Sequence, residues 1–118
     1  MKIAIIGSRN IVLDDLGFYL KNFDVTEIVS GGAKGVDSYA AQYARENNIP
    51  LTEFLPDYER YKRGAPLKRN DQIIDYADHV IAFWDTKSKG TKYVIERCKK
   101  LGKMVTVFIP KADDKPQQ

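Results

Sequence analysis

Short apolar runs alternate with stretches of helical periodicity along the whole chain. "KIAII" (2–6) and "TEIVS" (26–30) are brief and rich in β-branched residues, as strands are. Between them Leu13, Leu16, Leu20 and Phe23 recur at helical spacing. A second helix is predicted after Gly35, with Val36, Ala40, Tyr43 and Ala44 facing inward and Asn47-Asn48 at its end. "PLTEFL" (50–55) predicts a weaker strand, whose leading proline and alternating polar residues assign it to a sheet edge. "PDYERYKRGA" (56–65) reads as an irregular loop, and Pro66 suits the first turn of a third helix ending near Tyr76. "HVIAFW" (79–84) is continuously apolar, the mark of a central strand buried on both faces. Val94, Ile95, Cys98 and Leu101 place a fourth helix, stopped by Gly102. "MVTVFI" (104–109) closes the pattern before Pro110, and the polar tail "KADDKPQQ" (111–118) is expected to fray.

This alternation predicts an α/β fold, a Rossmann-like three-layer sandwich around a five-stranded, mainly parallel sheet. Right-handed crossovers leave few arrangements, and the expected strand order is 3-2-1-4-5. A chain of 118 residues suits one core, so residues 1–110 are read as a single domain. In such sheets a ligand lies beyond the carboxyl ends of the strands, here at the switch point between strands 1 and 4.

Four loops then share one edge. They hold Gly7-Ser8-Arg9-Asn10, Ser30 to Gly35 ("SGGAKG"), the basic stretch leading to Arg69-Asn70, and Asp85 to Thr91 ("DTKSKGT"). Their chemistry suits phosphate. Gly31, Gly32 and Gly35 let backbone amides approach an anion, and a helix beginning near Gly35 adds positive potential at its N-terminus. Lys34 and Lys89 add charge, Ser88 and Thr91 offer hydroxyls beside Gly90, and Arg9 and Arg69 can bind an oxyanion through paired hydrogen bonds. Ser8 and Asn70 would orient sugar or phosphate, and Asp85 would accept from a ribose hydroxyl. Plain structural roles stand beside these: a tight turn for "SGGAKG", a dipole partner for Asp37, a helix cap for "SKGT". The stretch is not a Walker A loop, and no GxGxxG follows strand 1.

Charge sharpens the picture. Residues 1–57 carry 5 Lys/Arg against 8 Asp/Glu, whereas 58–118 carry 14 against 8. A basic half attracts an anionic partner, nucleotide or nucleic acid. The hydrophobic fraction of 43% and charged fraction of 30% belong to a globular chain, and no apolar run approaches a membrane span. "MKIAIIGS" reads as a first strand rather than a secretory leader, and the single Cys98 fits a reducing cytoplasm, the expected location. No metal-ligand spacing occurs, and the one histidine, His79, falls at the opposite edge of the sheet from the loops. Phe83 and Trp84 read as core, with Trp84 able to reach a base. Tyr58 and Tyr61 would either cover a base or pin the basic loop.

Assembled, "IAIIGSR", "IVSGGAKGVDSYAAQYA", "RNDQIIDYADHVIAFWD" and "SKGTKYVIERCKKLGKMVTVFI" resemble the SLOG superfamily of Rossmann-like nucleotide-ligand proteins, over about residues 2–110. That superfamily includes the DNA-processing protein A (Smf) core, the LOG phosphoribohydrolases and small stand-alone domains related to YspA. The chain is most similar to the stand-alone branch, although the expected "AGP-x-RN" reads "GAPLKRN" here. The resemblance implies a nucleotide-derived ligand, with a binding or sensing role first; the residues themselves call for no particular cofactor. A second implied activity is N-glycosidic hydrolysis of a nucleoside monophosphate. The LOG motif PGGxGTxxE places its glutamate three residues after the threonine, where this chain has Val94. Glu96 lies two residues farther on, a turn of about 200° on a helix. Asp37, Asp57 and Asp85 are the carboxylates that could stand in as acid or base. A third implied role is single-stranded DNA binding, because "SGxAxGID" of DNA-processing protein A is similar to Ser30–Asp37. Related folds commonly dimerise, so a homodimer stays open, but the sequence displays no interface stripe.

Overall fold

The computed structural model describes residues 1–110. Five parallel strands, β1 (Lys2–Gly7), β2 (Glu27–Ser30), β3 (Leu51–Glu53), β4 (His79–Phe83) and β5 (Met104–Phe108), form one sheet in the order β3-β2-β1-β4-β5. This is the predicted Rossmann-like arrangement. β1 and β4 lie side by side, with Ile3 opposite His79 and Gly7 opposite Phe83.

Strand alternation divides the core into two. Ile3, Ile5, Ile28, Ile81 and Phe83 face one side of the sheet, where α1 (Leu16–Leu20) and α2 (Val36–Glu46) cover them. Ala4, Ile6, Val29, Val80 and Ala82 face the other, beneath α4 (Ala65–Tyr76) and α5 (Lys89–Leu101). β4 is buried at every position, as its unbroken apolar run requires. β3 is short and forms one edge of the sheet, as "PLTEFL" suggested.

Several local expectations change. The periodicity from Leu13 to Phe23 yields a helix of only five residues, because Asp15 caps it by accepting the Phe18 amide at 3.3 Å. Leu13 still reaches the core, from the preceding loop. The basic loop is partly ordered: Asp57 caps a short α3 (Tyr58–Tyr61), followed by a 3-10 turn at Lys62–Gly64. Leu101 is 58% exposed at the end of α5 rather than packed with Val94 and Cys98. Gly102 ends that helix in the left-handed conformation, and the Lys103 amide donates back to Cys98 O at 2.9 Å. The expected fraying of 111–118 lies outside the described residues.

Candidate functional site

A cleft of about 210 Å³ opens at the carboxyl edge of the sheet. Parallel β1 and β4 send their chains to opposite faces there, so the loops they feed separate and leave a crevice. The first loop contributes Gly7 and Arg9, the second Gly31, Ala33 and Lys34. α4 contributes Arg69 and Asn70, and the start of α5 contributes Ser88, Gly90 and Thr91. Nine residues named from the sequence for a ligand therefore meet at one cavity: Gly7, Arg9, Gly31, Lys34, Arg69, Asn70, Ser88, Gly90 and Thr91.

The remaining candidates surround the cleft without lining it. Ser8 is buried; its amide donates to Phe83 O at 3.0 Å, and its hydroxyl accepts the Asp85 amide at 3.2 Å. Ser30 is also buried, and its hydroxyl accepts the Gly32 amide at 3.3 Å. Gly32 packs toward Leu55, Gly35 packs on the Arg9 backbone, and exposed Lys89 opens α5. Asp85 holds its own loop: Oδ1 accepts the Ser88 and Lys87 amides at 2.7 and 2.8 Å. Those two bonds hold its carboxyl below the usual range.

The α5 side is pre-organised. Ser88 caps the helix by accepting the Thr91 amide at 3.3 Å, and its hydroxyl donates to Thr91 Oγ1 at 3.2 Å. Thr91 Oγ1 lies 3.5 Å from Ser8 Oγ, linking two loops through hydroxyls. Space around Gly90 is open, so backbone at the helix start is accessible. Trp84 braces this turn through an indole N–H donated to Ser88 O at 3.0 Å, and it does not line the cleft.

On the opposite wall Arg69 donates through Nη1 to Gly31 O at 2.7 Å and through Nε to Asn70 Oδ1 at 2.8 Å. Its other guanidinium hydrogens remain to meet an anion. α2 begins beside this loop with Gly35 at its N-cap and no side-chain cap. Asp37, in its first turn, lines the cleft and is only 9% exposed. Its Oδ2 accepts the Ala33 amide at 3.0 Å. Burial pushes its pKa up, against the opposing pull of the Ala33 amide and of Arg69.

Sequence reasoning missed the apolar wall. Ile6, Pro66, Leu67, Ile73 and Val94 line the cleft and give it an apolar face. Val94 reads as a helix-packing position and as the place of the LOG glutamate, and Ile73 is not singled out by the sequence; a core residue at a cavity wall has the same periodicity as one beneath it. Tyr58 is 59% exposed, Arg60 and Lys68 lie over the Tyr61 ring, and neither tyrosine lines the cleft. Buried His79 stays at the amino edge, its Nε2 2.8 Å from Thr106 Oγ1, and burial lowers its pKa. Among the described residues no cluster of His, Cys, Asp and Glu could hold a metal ion, and no helix is long and apolar enough to cross a membrane.

No curated protein and no solved structure gives a match to this chain. A family model does match residues 1–61, from β1 through α3, taking in the Gly7 and Gly31 loops but neither Arg69 nor the Ser88–Thr91 turn. The chain belongs to the YspA, cpYpsA-related SLOG family.

Proposed function

We propose that this domain binds a nucleotide or nucleotide-derived small molecule in the cleft, as a sensor or ligand-binding module of the cytoplasm. One observation carries the reading: Arg69, the Gly31 loop and the open start of α5 face a single cavity with an apolar wall. The amide-rich start of α5, with Ser88 and Thr91, suits a phosphate, because helix N-termini attract anions and present unpaired donors. Arg9, Lys34 and Arg69 neutralise its charge. Ile6, Leu67 and Ile73 take the less polar part of the ligand. Family membership agrees with a nucleotide-related module.

Binding without turnover is favoured over hydrolysis by what stands on α5. Val94 is buried at the cleft wall where the related hydrolases carry a glutamate, and Glu96 is exposed and lines no part of the cavity. The test is mass spectrometry of small molecules that copurify with the protein, followed by a thermal-shift panel of nucleotides. A bound nucleotide should raise the melting temperature, by the equivalent of about 2.7 kcal/mol at a hundredfold excess over Kd. Arg69→Ala should lose most of that rise. A panel with no shift, or an Arg69→Ala protein that responds like wild type, rejects the site.

A further inference from the structure

Three carboxylates stand near the carboxyl edge, and their surroundings separate them. Asp57 is exposed and caps α3, accepting the Arg60 amide at 3.1 Å. Asp85 spends Oδ1 on two amides of its own loop. Only Asp37 of the three lines the cleft. The Ala33 amide bonds its Oδ2, and the Gly31 amide also stabilises the carboxylate. A carboxylate offers roughly four acceptor positions, so acceptor capacity remains on a group bordering the cavity. Arg69 from α4 and Glu53 from β3 act on it, and Arg9 and Lys34 are the other charged groups of the cleft.

An acceptor-only group is out of place in a cavity built for phosphate alone, because it repels the oxyanion. It suits a ligand that carries a hydroxyl beside its phosphate. Asp37 is held in place by the loop it braces, so accepting one more hydrogen bond needs no rearrangement.

We propose that Asp37 is the specificity-determining acceptor of the cleft, taking a hydrogen bond from a sugar hydroxyl of a ribonucleoside monophosphate whose phosphate lies at the start of α5. This rests on the reading of the cleft as a nucleotide site. Hydrogen bonds to charged groups are worth about 1.5–3 kcal/mol, so losing the hydroxyl should weaken binding about tenfold or more.

The experiment is titration calorimetry of the whole chain with the four common ribonucleoside 5′-monophosphates and their 2′,3′-dideoxy counterparts. At least one ribonucleotide should bind about tenfold more tightly than its dideoxy partner. In Asp37→Asn the charged acceptor becomes a neutral amide, whose NH₂ can still donate to the hydroxyl oxygen, so the preference for the ribonucleotide should fall to about threefold or less. Circular dichroism checks that this variant is folded. Equal binding of both ligands by the wild type, which requires no variant, overturns the assignment of Asp37. So does full discrimination by Asp37→Asn. Absence of binding by every nucleotide overturns the reading of the cleft and this inference with it.

Discussion

Arg69 and Gly31 are in such close contact that no side chain fits between them. Nη1 of Arg69 donates to Gly31 O at 2.7 Å, and a methyl group on Gly31 would lie 2.5 Å from that same nitrogen and 2.9 Å from Cζ. α4 and the loop after β2 are thereby locked together on one wall of the cleft, and the position of the guanidinium depends on the absence of a Cβ.

Gly31→Ala should therefore affect binding more than folding. The closest atoms belong to the far end of a flexible side chain, which can swing away, and Asp37 Oδ2 at 3.1 Å need give by only a few tenths of an ångström, so stability should fall by only about 1 kcal/mol, the loss of one hydrogen bond. Arg69 would leave its ligand-facing position, and nucleotide affinity should drop about tenfold or more. Chemical denaturation and thermal-shift titration of the same variant read the two effects separately. A large loss of stability with affinity intact would contradict the assignment.

Gly35→Ala should do the reverse. Gly35 has φ +81°, a conformation that side-chain-bearing residues rarely adopt, and an added methyl would meet the Arg9 backbone at 2.9 Å. Backbone cannot swing aside as Arg69 can. Strain of this kind costs about 1–3 kcal/mol, and the clash adds to it, so the denaturation midpoint should fall accordingly. An unchanged midpoint would show that the two loops are not packed as described.

Sheet order and the placement of the loops were legible in the sequence because they rest on strong local signals. "HVIAFW" has no polar position to expose, and Gly102 follows a clean helical stripe, so β4 and the end of α5 fall where expected. The part of the cleft supplied by turns was legible because glycines and hydroxyls cluster at the carboxyl ends of the strands, although Ser8, Ser30, Gly32 and Gly35 serve the loops themselves rather than the cavity. Two kinds of information were not local. Leu101 continues the apolar spacing of Val94 and Cys98 but lies past the end of the surface it would cover. The three candidate aspartates look alike in sequence, and only the fold distinguishes Asp37 at the cavity from Asp57, which caps α3, and Asp85, which braces its own loop.

Asp37 also predicts a pH signature in stability. Burial raises its folded pKa above the ordinary 3.8, so the native state holds this proton more tightly than the unfolded chain does. Between those two values the native state binds more protons, and this group's contribution to stability falls as pH rises. Above both values the ionised, buried carboxylate carries a constant penalty that Asp37→Asn lacks. Relative to wild type, the variant should gain melting temperature as pH rises through the ordinary 3.8 and then level off once the raised folded pKa is passed. A wild type that gains on the variant over that range would contradict the direction of the shift.

Cys98 offers a probe of the second core that leaves the cleft untouched. It lies on α5, fully buried among Val80, Ile95 and their neighbours, and desolvation pushes its thiol up to about 11. At pH 8 roughly one molecule in a thousand would carry the reactive thiolate, even before access is considered. Native protein should consequently resist a disulfide reagent such as 5,5′-dithiobis(2-nitrobenzoate), whereas denatured protein should react at the rate of an ordinary thiol. Because α5 closes both this core and the start of the cleft, labelling should require opening of the helix. A nucleotide that binds at Ser88–Thr91 should slow the reaction in proportion to its occupancy. Rapid labelling of native protein, insensitive to saturating nucleotide, would show that α5 opens independently of the site.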